Sequence, residues 1–138
     1  MAIDWQAFCD LVVRHERFVL TSHVRPDADA IGSEIGLAEL LEAQGKTVRI
    51  INPSPITESL RFLDPGGRVQ SIGVDVDLAS ACDTDVHIVL DTSAWAQVEG
   101  VGEVLRSTGA VKVVIDHHQS SDHLADHAQA VIVALARV

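Results

Sequence analysis

The sequence has few cysteines, few basic residues and no apolar run long enough to cross a membrane. Cys9 and Cys82 are its two cysteines, and they form no CxxC pair. Two isolated cysteines argue against the disulfide framework of a small secreted protein and against a zinc site built from thiolates. We therefore expect reduced thiols and a cytoplasmic protein.

The scarcity of basic residues restricts the ligands that the chain could bind. Ten lysines and arginines stand against 20 aspartates and glutamates, so the formal net charge is −10. Long nucleic acids are usually held by a surface of lysine and arginine, and we expect no such partner here. A small phosphorylated ligand remains compatible with this charge if a bound metal ion reverses the local sign.

The chain also lacks the signals of membrane proteins. Its first residues, MAIDWQAFCD, have neither the basic start nor the apolar core of a signal peptide, and the stretch AVIVALA is too short to span a bilayer. No membrane association is expected. With 138 residues and 47% hydrophobic content, the chain has the size and composition of one folded domain.

Segments with helical and strand periodicity alternate along the chain. Helices are predicted at about residues 3–15, 30–44 and 122–138 and within VGEVLRSTG, with a short helix in ITESLRFLD and one turn in DVDLASACDTD. Strands are predicted at RFVLTSH, KTVRIIN, VHIVLDT and VKVVIDHH, with RVQSIG as a further strand. This alternation predicts an α/β fold in which helices flank a mostly parallel sheet.

The second and the last predicted helices divide into faces. The apolar face of the second helix is formed by Ile31, Ile35, Ala38 and Leu41. Glu34, Glu39 and Glu42 are expected to point elsewhere. The seam of the last helix is formed by Leu124, Ala128, Val131, Leu135 and Val138. We expect this helix to pack on the sheet, with any remaining apolar surface available for a homodimer.

Three of the predicted strands end in residues that can bind metal. FVLTSH ends at His23, HIVLD at Asp91, and VVIDHH at Asp116, His117 and His118. The loop HVRPDADAIGS, which follows the first strand, adds Asp27 and Asp29. The carboxyl ends of parallel strands lie along one edge of a sheet, and ligands bind in the crevice outside that edge. We therefore predict a metal site at the C-terminal ends of the strands.

Each of these residues has an ordinary structural explanation when it is taken alone. His23 would be a strand-end histidine, and Asp27 or Asp29 would cap the following helix. Ligands at three strand ends together favour the metal site. Mixed imidazoles and carboxylates suit Mn²⁺, Fe²⁺ or Co²⁺, whereas Mg²⁺ prefers oxygen ligands. Three aspartates and two histidines suffice for two ions that share a bridging carboxylate.

The motifs HVRPDADAIGS, VLDTS and VIDHHQSSD resemble the first three motifs of the DHH phosphoesterases. This superfamily includes RecJ-type nucleases, family II pyrophosphatases, cyclic-dinucleotide phosphodiesterases and the nano-RNase/pAp phosphatases, and the first motif is most similar to the last branch. The resemblance implies a DHH-type domain that hydrolyses pAp or very short oligonucleotides at two Mn²⁺ ions, with Mg²⁺ or Co²⁺ as alternatives.

The resemblance also implies a role for each motif residue. His23 and Asp27 would bind one ion, Asp29 and His117 would bind the other, and Asp91 would bridge the two. At the same motif positions, His118 would be a catalytic residue that contacts the substrate phosphate. Asp116 would be a second catalytic residue, supporting the site as a ligand or through the ligands.

The sequence departs from the family pattern near its end. By the resemblance, we expect Asp122 and Asp126 to stand in for the metal-binding aspartate of a fourth motif, and we expect residues 1–138 to lack the second, substrate-binding domain. We therefore expect residues 1–138 to form a single, C-terminally truncated DHH-type domain. A pyrophosphatase or polyphosphatase, and an inactive fragment that binds metal or nucleotide, are the alternatives. A dinucleotide-cofactor site is disfavoured because no GxGxxG motif follows the first strand.

Overall fold

A computed structural model of the chain describes residues 4–92 and 94–116, together with the backbone of residues 133–135. Six strands form one sheet in which every pairing is parallel. In chain order they are β1 (Arg17–Thr21), β2 (Thr47–Asn52), β3 (Val69–Ser71), β4 (Val86–Leu90), β5 (Val111–Asp116) and β6 (Val133–Leu135). The predicted α/β fold with a parallel sheet is confirmed.

The helices lie on both faces of this sheet. They are α1 (Trp5–Arg14), α2 (Ala28–Ala43), α3 (Leu78–Cys82), α4 (Trp95–Val98) and α5 (Gly100–Ser107), with a 3₁₀ helix at Glu58–Leu63. Residues of α1 and α2 share one apolar cluster with the sheet, and residues of α3, α4 and α5 share the other. None of the described helices is long and apolar enough to cross a bilayer.

The central strands are buried on both faces, which explains their nearly continuous apolar sequences. Phe18 and Leu20 of β1 pack into the cluster under α1 and α2, whereas Val19 packs into the opposite cluster. All five residues of β4 are buried. These two strands are the stable centre from which the loops at the sheet edge project.

The strand order places a crevice between β1 and β4. The order across the sheet is β3-β2-β1-β4-β5-β6, so the chain runs outward from β1 to β3 and then returns to the other side of β1. Such a reversal opens a crevice at the carboxyl ends of the two central strands, and ligands of open α/β sheets bind there. The segments that follow β1 and β4 therefore line one cleft.

Helix α2 begins and packs mostly as its sequence predicts, with one error. The side chain of Asp27 caps the helix by accepting a hydrogen bond from the backbone N–H of Ala30 at 2.9 Å. Ile31, Ala38 and Leu41 are buried, as expected. Glu34 was predicted to point away from the core, and this prediction is wrong, because its side chain is fully buried. A partner on β2, described below, explains its position.

The C-terminal tail also departs from the prediction. Val133–Leu135 forms β6, which pairs in parallel with β5 at Val114↔Val133, so the predicted helix is wrong for this segment. β-Branched residues favour strands, and the pairing supplies partners for the open edge of β5. The rest of the predicted helix lies outside the described residues. A one-turn helix, α4, was not predicted.

Burial of Glu34 should make stability depend on pH. Loss of solvation raises the pKa of its carboxyl to about 8 from 4.5, so the folded state holds a proton that the unfolded state releases. The contribution of this proton to the stability of the folded state is complete below pH 4.5 and is lost as pH rises towards about 8. We expect the free energy of unfolding to fall by up to about 1.4 kcal/mol per pH unit across this window.

Urea denaturation of the wild type, Glu34→Gln and Glu39→Gln between pH 5 and pH 8 measures this slope. Glutamine keeps the shape of the protonated carboxyl and cannot ionise, so Glu34→Gln should flatten the slope. Glu39 is exposed on the same helix, and its substitution should leave the slope unchanged. Equal slopes in the wild type and Glu34→Gln would contradict the assignment of a protonated carboxyl.

The centre of the sheet should be the most sensitive part of the fold to loss of side-chain volume. Ile88 is fully buried in β4, and Ile88→Ala should lower the free energy of unfolding by about 2–5 kcal/mol, because a cavity replaces packed atoms. Val13→Ala on α1, where the side chain is 76% exposed, should change it by less than about 0.5 kcal/mol. Similar losses in the two variants would contradict this description of the core.

Candidate metal site

His23 stands two residues beyond β1 with one ring nitrogen already engaged. Its Nδ1 lies 2.9 Å from the backbone carbonyl oxygen of Val24. A carbonyl oxygen can only accept, so Nδ1 carries the proton and donates it. In the neutral ring, the lone pair is then on Nε2, which is the form of imidazole that binds metal. The backbone of the loop thus selects the ligand tautomer.

Asp91 follows β4 directly and is held in an unusual backbone conformation. Its φ angle is +62°, in the left-handed region that few residues other than glycine adopt. The backbone N–H of Asp91 donates to the carbonyl of Ile115 on β5 at 3.0 Å, which fixes the residue at the edge of the sheet. Its buried carboxylate places Oδ2 3.3 Å from Nε2 of His23. Strain of this kind concentrates at functional sites.

Asp27 approaches the same nitrogen from the start of α2. Its Oδ1 lies 3.7 Å from Nε2 of His23, and the same oxygen accepts the capping hydrogen bond from Ala30. The cap and the ligand role are compatible, because a carboxylate has about four lone-pair positions. Asp27 can therefore cap the helix and bind a metal ion at the same time.

These three residues converge on one small volume. One ligand atom from each of His23, Asp27 and Asp91 lies within 4.8 Å of the others. An imidazole lone pair facing two carboxylates needs a cation or a proton between them. One nitrogen and two carboxylate oxygens suit divalent ions such as Mn²⁺, Fe²⁺ or Co²⁺, so the donor set fits a metal.

The other predicted site residues have different positions. Asp29 is exposed in the first turn of α2 and does not belong to this three-residue group. Asp116 is buried at the end of β5, the strand beside β4. His117 and His118 lie outside the described residues, as do Asp122 and Asp126. The described part of the chain thus brings together the ligands predicted for one ion.

A buried polar network lies directly behind His23, and the sequence pattern did not reveal it. Asn52, at the end of β2, accepts a hydrogen bond through Oδ1 from the backbone N–H of Ser22 at 2.8 Å. The Nδ2 group of Asn52 donates to Oε1 of Glu34 at 2.9 Å. One feature of the sequence could have indicated this network. Asn52 ends the apolar run RIIN, and the neighbouring strand β1 ends close to the predicted ligand His23.

His87 is another buried polar residue, but it belongs to the opposite face of the sheet. Its Nε2 lies 2.7 Å from the Thr21 hydroxyl, which itself donates to the carbonyl of Ile51. Burial, followed by the charges of Lys112 and Arg49, lowers the pKa of His87 to about 3. His87 therefore stays neutral inside the sheet, and it serves the fold rather than the site.

The sequence matches one family model and two curated relatives of the same kind. Residues 17–136 match the family model described as "DHH family, N-terminal domain". A bifunctional oligoribonuclease and PAP phosphatase, NrnA, of Bacillus subtilis is 30% identical over 112 residues, which are 81% of this chain and 32% of the relative. A probable bifunctional oligoribonuclease and PAP phosphatase of Streptococcus mutans is 28% identical over 114 residues, 81% of this chain and 33% of the relative.

A solved structure extends the likeness to three dimensions. An exopolyphosphatase-related protein from Bacteroides fragilis superposes with a TM-score of 0.80 and 26% identity, over 94% of this chain and 38% of that protein. The chain thus spans about a third of the length of the curated relatives it matches. The family match covers the strands and the loops that carry the site. The chain therefore belongs to the DHH family of phosphoesterases and corresponds to its N-terminal domain.

Proposed function

We propose that the chain carries the metal site of a phosphoesterase that hydrolyses small nucleotides, such as pAp, or very short oligonucleotides. The observation that carries this proposal is the convergence of His23, Asp27 and Asp91 at the crevice between β1 and β4. Two relatives are named as oligoribonuclease and PAP phosphatase, which supports this substrate class.

His23, Asp27 and Asp91 would hold one ion, for which we propose Mn²⁺. In the same proposal Asp29 and His117 would hold a second ion, with Asp91 shared. Ions in such a site supply Lewis-acid chemistry, because they acidify bound water and neutralise charge on the phosphoryl group. Asp116 would support the ligands, and His118 would contact the substrate phosphate.

The chain's own residues hold this site ready for an ion. The carbonyl of Val24 favours the His23 tautomer whose Nε2 can bind a metal, and the hydrogen bond to Ile115 fixes the backbone of Asp91. The backbone N–H of Ala30 donates to Oδ1 of Asp27 and so fixes the position of this carboxylate at the start of α2. These features lower the cost of organising the ligands when a metal arrives.

The net charge agrees with a short substrate. A chain of charge −10 repels an extended phosphate backbone except where bound cations face it. A mononucleotide or a very short oligonucleotide places its phosphates within reach of the metals alone. We therefore propose local recognition of the phosphate ester, without a long nucleic-acid track.

A polyphosphatase or pyrophosphatase is the second candidate. The solved structure that resembles the chain is named as exopolyphosphatase-related, and its resemblance covers nearly the whole chain. The same metal ligands would serve both reactions. Phosphate release from pyrophosphate, with none from pAp, would favour this alternative.

The decisive variant is Asp91→Asn. It should lower Mn²⁺-dependent phosphate release from pAp by several orders of magnitude. The neutral amide of asparagine cannot replace the negatively charged carboxylate proposed as the shared metal ligand. The measurement is phosphate release by the purified chain with Mn²⁺ and with chelator. Circular dichroism should show that the variant remains folded.

Asp85→Asn is the matched control for this experiment. Asp85 immediately precedes β4 and Asp91 immediately follows it, so the same substitution is made at the two ends of one strand. Asp85 accepts hydrogen bonds from the backbone of Glu16 and Arg17, away from the ligands. Asp85→Asn should retain activity per folded molecule. Normal activity and metal content in Asp91→Asn would refute the proposed site.

A further inference from the structure

The loop that carries His23 and Asp27 has two ends, and one asparagine is connected to both. Ser22 precedes His23, and its backbone N–H donates to Oδ1 of Asn52 at 2.8 Å. Glu34 lies on the helix that Asp27 begins, and its Oε1 accepts from Nδ2 of Asn52 at 2.9 Å. All three members of this network, Ser22, Asn52 and Glu34, are fully buried.

At Ser22, the side chain of Asn52 accepts the hydrogen bond that a main-chain carbonyl of the neighbouring strand would accept within the sheet. The register pairs Leu20 with Ile50, so Ser22 lies opposite Asn52 just beyond the last paired residues. There Oδ1 of Asn52 accepts a hydrogen bond from the backbone N–H of Ser22 and a longer one, at 3.3 Å, from its hydroxyl. This contact determines where the chain leaves the sheet immediately before His23.

At the other end, Glu34 fixes the position of α2. Asp27 and Glu34 are seven residues apart, so they lie about two turns apart on the same side of the helix. The hydrogen bond to Asn52 holds that side against the end of β2. Oε2 of Glu34 has no hydrogen-bond partner among the described residues, so the carboxyl is kept in the core at a cost in solvation.

We propose that Asn52, anchored by Glu34, is a positioning residue that sets the distance between His23 and Asp27 and so prepares the site for metal. The side-chain hydrogen bonds of Asn52 go to Ser22 and Glu34, at the two ends of the segment that carries the ligands. This inference rests on the proposed metal site, since positioning has meaning only if the site binds an ion. Outer partners of metal ligands commonly affect affinity in this way.

Glu34→Met is the primary test. Methionine fills a similar volume but cannot accept from Nδ2 of Asn52, so the amide loses its anchor. Binding of Mn²⁺ is measured without any substrate, from the loss of the free-ion electron paramagnetic resonance signal. We expect Glu34→Met to weaken binding about 10-fold or more. Glu34→Gln, whose Oε1 can still accept that hydrogen bond, should bind within about 3-fold of the wild type.

Thr84→Val separates positioning from general loss of stability. Thr84 is also buried and donates a side-chain hydrogen bond to the carbonyl of Arg17 at 3.0 Å, at the opposite end of the sheet. Its substitution should lower the urea midpoint and leave Mn²⁺ affinity unchanged. Asn52→Leu, which breaks both contacts of the network, should weaken affinity at least as much as Glu34→Met.

The possible outcomes distinguish this inference from the proposed function. If the wild type binds no Mn²⁺, the proposed metal site itself fails. If the wild type binds and folded Glu34→Met binds equally well, the metal site stands and the positioning role is refuted. If Asn52→Leu does not fold, Glu34→Met decides the matter alone. Weakened binding in Glu34→Met, rescued in Glu34→Gln, supports the inference.

Discussion

The parallel pairing of β1 with β4 is the constraint on which the site depends. Because the two strands run in the same direction, the residues that follow them emerge at the same edge, and Nε2 of His23 comes within 3.3 Å of Asp91. An antiparallel β4 would carry Asp91 to the opposite edge, roughly 16 Å away for a five-residue strand. The helices that cover both faces thus serve chemistry indirectly, because a parallel sheet requires such cover.

Electrostatics then determines what this edge can bind. The carboxylate oxygens of Asp27 and Asp91 lie within 4.8 Å of each other, and two such charges near a protein surface repel by roughly 3–4 kcal/mol. A chain of net charge −10 offers little long-range compensation. A divalent cation relieves the repulsion and reverses the local sign. The acidity of the domain would therefore be compatible with the proposed binding of a phosphorylated ligand only through a bound metal ion.

The sequence predicted most of the sheet and part of the site, for physical reasons that differ between residues. Strands β1, β4 and β5 are recognisable because burial on both faces requires nearly continuous apolar runs, and His23 and Asp91 stand out because they end those runs. The burial of Glu34 was not predicted, because helical periodicity identifies apolar faces and gives no sign of a hydrogen-bond partner on a neighbouring strand. The helix predicted over residues 133–135 was wrong because spacing along the chain gives no sign of the open edge of β5, which pairs with Val133–Leu135.

Two buried polar side chains, His87 on β4 and Glu34 on α2, show how a local cost in hydrogen bonding relates to the site. The imidazole of His87 is kept neutral by burial on the face away from α2, and the hydroxyl of Thr21 accepts from its ring. Each of the two keeps one buried atom without a hydrogen-bond partner among the described residues, Nδ1 in His87 and Oε2 in Glu34. An apolar residue in place of Glu34 would pack without that penalty. The arrangement becomes understandable once Glu34 is considered together with Asn52, because the bond between them links β2 to the helix that begins at Asp27. A buried polar network with an unpartnered oxygen, beside the proposed metal site, is expected where ligand geometry, rather than stability, limits function.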